Sequence, residues 1–293
     1  SFVKLGVAYS QCPRCGHLNG MHEDTDAFCA TVYTDTGGKA YAENYSQQDL
    51  EAYRRRVKDI YLPKAEFLCD ALRDVDLNPA AHTIADLGAG SGYFVAAAKE
   101  CVFRAVQGYE VSEVQVGLAD AMIGEGALRR HNLDETVKIA SSLEDDIVSM
   151  IGVLEHLQHP RDVLGALRDN PKVRFLYISV PLYSMSVHLE LAFQDIMQRQ
   201  LSGGHTHLYT NESIDWMCRE YKFERSSEWW FGSDFVDLYR IVSVSLESQE
   251  DGGVSPGMWA DEFLPVLDAM QVELDKRQLS SEVHLFLRST TRA

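Results

Sequence analysis

The chain has 293 residues, a formal net charge of −17 and 45% hydrophobic residues. These values predict one large globular domain with an appendage and a sizeable buried core. They argue against a nucleic-acid partner, because polyanions are bound through neutralised phosphates. No apolar run has the length of a membrane span and the start shows no signal-peptide pattern, so we expect a cytoplasmic protein.

Residues 1–45 read as a loop-rich, cysteine-containing segment. Cys12 and Cys15 are separated by two residues and followed by Gly16, which is the pattern of a zinc knuckle. In such a turn both thiolates reach one tetrahedral ion. Because a segment of this length with little apolar periodicity needs a staple, we predict a structural zinc ion here.

The remaining zinc ligands are less well defined by spacing. Cys29 would supply the third ligand and His22 the fourth, with His17 and Asp26 as rivals for that place. Free thiols or a redox pair are the alternatives to a metal site.

Residues 46–80 form a predicted helical lead-in, and residues 81–293 a core in which strands alternate with helices. The predicted strands are 82–87, 105–109, 137–140, 147–153, 173–180, 223–231 and 283–287, and the helices after the first strand include 93–101, 160–167, 188–200, 233–247 and 258–276. This rhythm predicts βαβ units and a doubly wound, mostly parallel seven-stranded α/β sheet, with a helical insertion at about 232–278.

A glycine-rich loop lies between the first core strand and the first core helix. Asp86 precedes three alternating glycines, Gly88, Gly90 and Gly92, and Glu110 ends the next strand. Glycines at this place allow a sharp turn and bring a ligand close to bare backbone. An acid at the end of the second strand is where the ribose hydroxyls of a nucleoside cofactor are held.

The spacing G-x-G-x-G, with an acid two residues before it, resembles motif I of the class I S-adenosylmethionine-dependent methyltransferases. The resemblance implies a Rossmann-like methyltransferase fold in which Gly88–Gly92 wraps the amino-acid part of S-adenosylmethionine and Glu110 binds the ribose. The segment with Ser142 and Leu143 would border the adenine. The alternatives are a turn for another nucleotide and a purely structural turn.

Val153-Leu154-Glu155-His156 follows the fourth strand and resembles a segment of small-molecule methyltransferases of the ubiquinone-biosynthesis type. The chain departs from that pattern at Gly152, where an acid is common. Because ligands bind beyond the carboxyl ends of parallel strands, we expect Glu155 at the cofactor and His156 near the reaction. The alternative is that His156 packs beneath the cofactor without doing chemistry.

Methyl transfer to a hydroxyl or carbon needs a base, and histidine suits neutral pH. His205 and His207 follow two glycines after the fifth strand, and on a strand their side chains would point the same way. With His156 they are the candidate catalytic residues. The alternatives are two metal ligands joined by His188, and a solvated surface loop.

The sequence therefore predicts an enzyme that methylates a small acceptor, most simply a hydroxyl of a sugar, glycan precursor or natural-product intermediate. Zinc modules also occur in deoxysugar C-methyltransferases and ribosomal-RNA guanine methyltransferases, which the N-terminal segment resembles in outline. The alternatives are an RNA methyltransferase with a zinc-dependent grip and a non-catalytic S-adenosylmethionine-binding protein. The oligomeric state stays open.

Overall fold

The computed structural model describes residues 1–4, 7–21, 49–157, 159–194, 196, 199–201, 205–248 and 256–292. The chain divides into two compact units. The hairpin unit comprises residues 1–22, 179–216 and 228–284, and the glycine-loop unit comprises residues 23–178, 217–227 and 285–293. His22 and Cys29, two of the predicted zinc ligands, lie outside the described residues.

The strands are β1 (Phe2–Lys4), β2 (Val7–Gln11), β3 (Leu18–Met21), β4 (Thr83–Leu87), β5 (Ala105–Glu110), β6 (Leu128–Arg130), β7 (Ile147–Ile151), β8 (Phe175–Pro181), β9 (His207–Leu208), β10 (Phe223–Phe231) and β11 (Glu282–Ser289). The helices are α1 (Leu50–Arg56), α2 (Leu62–Asp74), α3 (Tyr93–Glu100), α4 (Glu113–Ile123), α5 (Thr136–Ser142), α6 (Pro160–Asp169), α7 (Met185–Ala192), α8 (Asn211–Tyr221), α9 (Asp234–Glu247) and α10 (Pro256–Lys276).

Seven strands form one sheet in the order β10-β11-β8-β7-β4-β5-β6. The pairs β4–β5, β4–β7 and β5–β6 are parallel. Every residue of β4 is buried, as expected for a central parallel strand covered on both faces. The predicted α/β fold with a mostly parallel seven-stranded sheet is confirmed.

A second sheet has the order β1-β2-β3-β9, and its neighbouring strands are antiparallel. Its core contains Tyr9, Leu18, Val187, Leu201 and Leu208. The expectation that the N-terminal segment is loop-like is therefore wrong for residues 2–4, 7–11 and 18–21. These short strands are completed by β9, almost 190 residues later, so local sequence carries little of the signal.

The prediction of a third core strand at residues 137–140 is also wrong. Residues 137–140 lie in helix α5, and the strand beside β5 is Leu128–Arg130. A capping box formed by Asn132 and Glu135 starts a 3₁₀ turn that leads into α5. An apolar-rich run of four residues fits a strand and a helix equally, and the capping box before it favours the helix.

Helices α1 and α2 are joined without a break by a π-helical turn, Val57–Tyr61. Asp49 caps α1, where its carboxylate accepts from the N–H groups of Glu51 and Ala52. Leu68 and Leu72 of α2 pack into the core that contains Ile84 and Ile147 of the central strands. The lead-in thus belongs to the core of the glycine-loop unit.

Within the described residues, no helix combines the length and the apolar character that crossing a membrane requires.

Candidate active site

The glycine loop joins the end of β4 to the start of α3. The backbone N–H groups of Gly88 and Ala89 donate to the Tyr109 carbonyl at 2.9 and 3.0 Å, which fixes the loop on β5. Gly88 has φ +69°, and a Cβ there would lie 2.7 Å from Cγ2 of Val153. The segment that follows β7 therefore packs directly on the glycine loop, and this contact requires glycine at position 88.

Gly90 and Gly92 have different surroundings. A Cβ on Gly92 would meet Ile123 and Ala119 of α4 at 3.0 and 3.2 Å, so this glycine serves helix packing. A Cβ on Gly90 would meet the amide oxygen of Gln115 at 3.0 Å and no other atom of the described residues within 4 Å. Of these two, Gly90 is the glycine whose backbone a ligand could approach.

Glu110 ties the loop to the second core strand. Its carboxylate is 6% exposed and accepts from the N–H groups of Gly90 at 2.7 Å, Val111 at 2.8 Å and Ser112 at 2.9 Å. Burial raises the pKa of Glu110, and the three N–H donors oppose that rise. Because a carboxylate oxygen can accept more than one donor, Oε2 retains capacity for a ribose hydroxyl.

Asp86 lies beneath the loop in β4 and is 3% exposed. The hydroxyl of Ser149 in β7 donates to its Oδ1 at 2.6 Å. Burial raises the pKa of Asp86 to about 7; the hydrogen bond from Ser149 lowers it and the charge of Glu110 raises it further. The Asp86 carboxyl therefore connects β4 to β7, and its pKa lies near neutral pH.

Glu155 and His156 lie in a turn after β7, where the His156 N–H donates to the Val153 carbonyl at 2.9 Å. Glu155 is buried and His156 is half-buried. Gly152, which begins this segment, has φ +68°. The contact of Val153 with the glycine loop brings the turn beside the predicted cofactor site.

Ser142 and Leu143 end helix α5 and do not follow a strand. The Leu143 carbonyl accepts from the side-chain amide of Asn170, and the Ser142 hydroxyl donates within its own helix. The third strand of the seven-stranded sheet in chain order is β6. The residue after its carboxyl end is His131, whose N–H donates to the Glu110 carbonyl at 3.0 Å. The adenine role of Ser142 and Leu143 stays a prediction, and His131 is a further candidate neighbour of the adenine ring.

Cys12 and Cys15 occupy a tight turn in the hairpin unit. Cys12 N–H donates to the His17 carbonyl at 2.8 Å, and Gly16 N–H donates to the Cys12 carbonyl at 2.9 Å. Backbone N–H groups of the turn lower the pKa of the Cys12 thiol, whereas burial raises the pKa of the Cys15 thiol. Two cysteines separated by two residues in one tight turn suit a tetrahedral zinc ion.

His207 lies in β9, and His205 precedes that strand. Nδ1 of His207 is 3.2 Å from Nε2 of His17, and Nδ1 of His17 is 3.2 Å from Oγ of Ser213. The carbonyl of His205 accepts from the Tyr9 hydroxyl at 3.4 Å. Sequence reasoning considered His17 only as a rival zinc ligand, and the structure engages both of its ring nitrogens elsewhere.

Helix α1 covers the glycine loop, which sequence reasoning did not foresee. The hydroxyl of buried Tyr53 donates to the Ser91 carbonyl at 2.9 Å, and its ring stacks on Tyr93 with 4.5 Å between centroids. The signal in the sequence is an aromatic residue on the buried face of the lead-in helix, but its partner is 38 residues away.

The sheet is mostly parallel, a glycine loop follows one strand, and a buried acid ends the next strand. This arrangement is typical of α/β proteins that bind a nucleoside-containing cofactor. The sequence profile of the methyltransferase domain matches residues 53–227. The chain belongs to this methyltransferase domain family and is an enzyme of the methyltransferase class.

The sequence has no significant match among curated proteins. Similar solved structures include magnesium protoporphyrin IX methyltransferase from Synechocystis PCC 6803 with SAH bound, at 13% identity, covering 86% of this chain and 99% of that one, with a TM-score of 0.48. Another is a SAM-dependent methyltransferase from Archaeoglobus fulgidus, at 14% identity, covering 77% of this chain and 94% of that one, with a TM-score of 0.45.

Proposed function

We propose that this enzyme transfers a methyl group from S-adenosylmethionine to a hydroxyl of a small acceptor, such as a sugar, a glycan precursor or a natural-product intermediate. The observation that carries the acceptor half is the pair of hydrogen-bonded histidines, His207 and His17. A hydroxyl must lose its proton to accept a methyl group, and this arrangement is suited to removing one.

On the cofactor side, Gly90 would present bare backbone, and Glu110 would accept from the ribose hydroxyls. S-adenosylmethionine supplies an activated methyl group on a sulfonium, which is a good leaving group. The residues of the glycine loop therefore have mainly to bind and orient it, and to keep water from the methyl carbon.

We assign the protons of the histidine pair from its hydrogen bonds. The Ser213 hydroxyl donates to the Thr210 carbonyl at 3.0 Å, so its oxygen accepts from Nδ1–H of His17. Nε2 of His17 is then an acceptor for Nδ1–H of His207. In this assignment Nε2 of His207 carries the lone pair that takes the acceptor proton, and His156 and His205 are the other candidate bases.

The test combines a labelling assay with base variants. With radiolabelled S-adenosylmethionine, label should enter the small-molecule fraction of an acceptor extract, and mass spectrometry should show an O-methyl product. His207→Gln should lower kcat by roughly 10²- to 10⁴-fold and leave the Kd for S-adenosylhomocysteine within about twofold. His188→Gln, outside the pair, is the matched control.

Other outcomes contradict this proposal. Label found only in RNA would show that the acceptor is RNA and not a small molecule. Calorimetry that shows NAD binding without S-adenosylhomocysteine binding would contradict S-adenosylmethionine as the methyl donor. Unchanged kcat in His207→Gln would remove this residue as the base.

We also propose that Cys12 and Cys15 hold a structural zinc ion together with Cys29 and His22. The chemistry of the thiol turn supports this assignment. Protein purified without chelator should contain about one zinc ion per chain, measured by inductively coupled plasma mass spectrometry. The Cys12→Ser variant should contain much less zinc. Wild-type protein without zinc would contradict the proposal.

A further inference from the structure

Helix α10 has an exposed apolar face. Its residues Phe263 and Leu267, four positions apart, are buried in the hairpin unit. On the solvent side of the helix, Val266 is 46% exposed and Val272 is 45% exposed. Ala269, midway between them, is also exposed. Because soluble proteins keep most exposed apolar side chains scattered, a row of them along one helix indicates a contact surface.

The periodicity of the helix places these residues on one face together with two charges. At 100° per residue, Val266 lies about 60° to one side of Ala269 and Val272 lies about 60° to the other. Glu262 precedes Ala269 by seven residues and Lys276 follows it by seven, so both lie within about 20° of it, two turns away in opposite directions. The face therefore has an apolar centre, an acid towards its start and a base towards its end.

A groove of about 370 Å³ between α9 and α10 adjoins this apolar centre. Phe235 of α9 lines it, and the lining residues of α10 include Val266, Ala269 and Met270. The groove widens the apolar surface from a single helix to two helices. A partner can therefore place side chains between α9 and α10 while it packs on the exposed face.

The order of the charges along the face selects a second copy of the chain in the antiparallel direction. With Ala269 of one copy against Ala269 of the other, Glu262 of each copy lies opposite Lys276 of the other copy. A parallel copy would instead place the two Glu262 side chains together and the two Lys276 side chains together, and like charges repel. The small side chain of Ala269 at the crossing point allows the two helices to approach closely.

Lys276 already has an acidic neighbour in its own helix. Its Nζ lies 3.0 Å from Oε1 of Glu273, and the two side chains are 65% and 59% exposed. An ion pair as exposed as this one contributes little to stability. Lys276 can therefore exchange Glu273 for Glu262 of a second copy, or lie between the two acids.

We propose that the chain forms a two-fold homodimer through antiparallel contact of helix α10, with Ala269 at the crossing point and Glu262 paired with Lys276 at both ends. The surface is self-complementary, as a closed two-fold dimer requires. Because one helix face and its groove make a small interface, we expect a dissociation constant of the order of 10 µM.

The experiment is sedimentation equilibrium of the full chain, from concentrations well below the expected dissociation constant to well above it. Glu262→Lys and Lys276→Glu should each weaken the dimer roughly 10-fold or more, because each creates two like-charge pairs. The double variant Glu262→Lys/Lys276→Glu restores opposite charges and should return to within about threefold of the wild type. Lys99→Glu, an exposed change of the same sign on α3, is the matched control and should leave the dissociation constant unchanged.

Ala269→Arg tests the crossing point, and it should abolish the dimer because two guanidinium groups would meet there. All three positions are exposed, so circular dichroism should show melting temperatures close to that of the wild type. A wild type that is monomeric at every concentration would overturn the inference and leave this face to a different protein. A dimer unaffected by these variants would form through another surface, and a double variant no tighter than the single ones would exclude the antiparallel pairing.

Discussion

Asp86 is a buried acid in the central strand whose protonated form the fold favours. Burial is the main cause of its raised pKa of about 7, since transfer into the sheet penalises the charged carboxylate. A raised folded-state pKa contributes stability that is complete below the unfolded pKa near 3.8 and is lost as the pH rises through 7.

Asp86→Asn should remove this pH dependence while keeping an acceptor for Ser149. Between pH 4 and pH 8 the wild type should lose up to roughly 4 kcal/mol more unfolding free energy than the variant, since one pKa unit corresponds to about 1.4 kcal/mol. Urea unfolding at a series of pH values measures the difference. Parallel stability profiles for the two proteins would contradict the raised pKa.

Gly90 is the residue proposed to present bare backbone to the cofactor, and Gly108 in strand β5 provides a contrast. A Cβ on Gly108 would lie 2.2 Å from Leu128, so any side chain there disrupts packing. We expect Gly90→Val to abolish calorimetric binding of S-adenosylhomocysteine with modest loss of stability, because φ +54° is strained for valine. Gly108→Val should lower the melting temperature much more, and unchanged binding in Gly90→Val would refute the motif assignment.

At the scale of elements, the buried hydroxyl of Tyr53 in helix α1 forms a hydrogen bond with the glycine loop. Tyr53→Phe removes the donor to the Ser91 carbonyl and should cost about 1 to 2 kcal/mol of unfolding free energy. It should also weaken S-adenosylhomocysteine binding several-fold, because the loop loses its support.

Tyr177→Phe is the matched control for that prediction. The Tyr177 hydroxyl donates to the Lys64 carbonyl at 3.0 Å, so its loss should cost similar stability without changing the Kd. Equal effects of the two variants on binding would show that the Tyr53 hydrogen bond stabilises the fold only.

Element boundaries show where local patterns suffice. Phe223–Phe231 has the predicted bounds, and the helix after the glycine loop begins at Tyr93 as predicted. Residues 137–140 are one exception, because four residues cannot separate a period of 2 from one of 3.6. The helix predicted at 188–200 begins earlier, at Met185, and ends at Ala192.

At the scale of the whole molecule, the net charge of −17 predicts weak contact with polyanions. In a filter-binding titration with total transfer RNA at physiological ionic strength, we expect a Kd weaker than about 10⁻⁴ M, the weak end of the range for non-specific nucleic-acid binders. Lysozyme, a positively charged protein, is the positive control that shows the assay detects electrostatic RNA binding. Tight, salt-sensitive binding would instead favour an RNA acceptor.

The sequence by itself determined the parallel α/β core and the glycine loop. Both depend on short-range rules: strand and helix periods, glycine turns, and an acid placed at a strand end. The methyltransferase assignment follows from the same stretch, and the match of the methyltransferase domain to residues 53–227 confirms it.

Only the tertiary structure decided the pairings between distant residues. His17 meets His207 across 190 positions, and strand β3 finds β9 at a similar separation. Arg56 lies over the ring of Tyr93, and Tyr53 of the same helix stacks on that ring. Such contacts are selected by packing and hydrogen bonding in the folded chain, and the pattern of residues along one segment does not contain them.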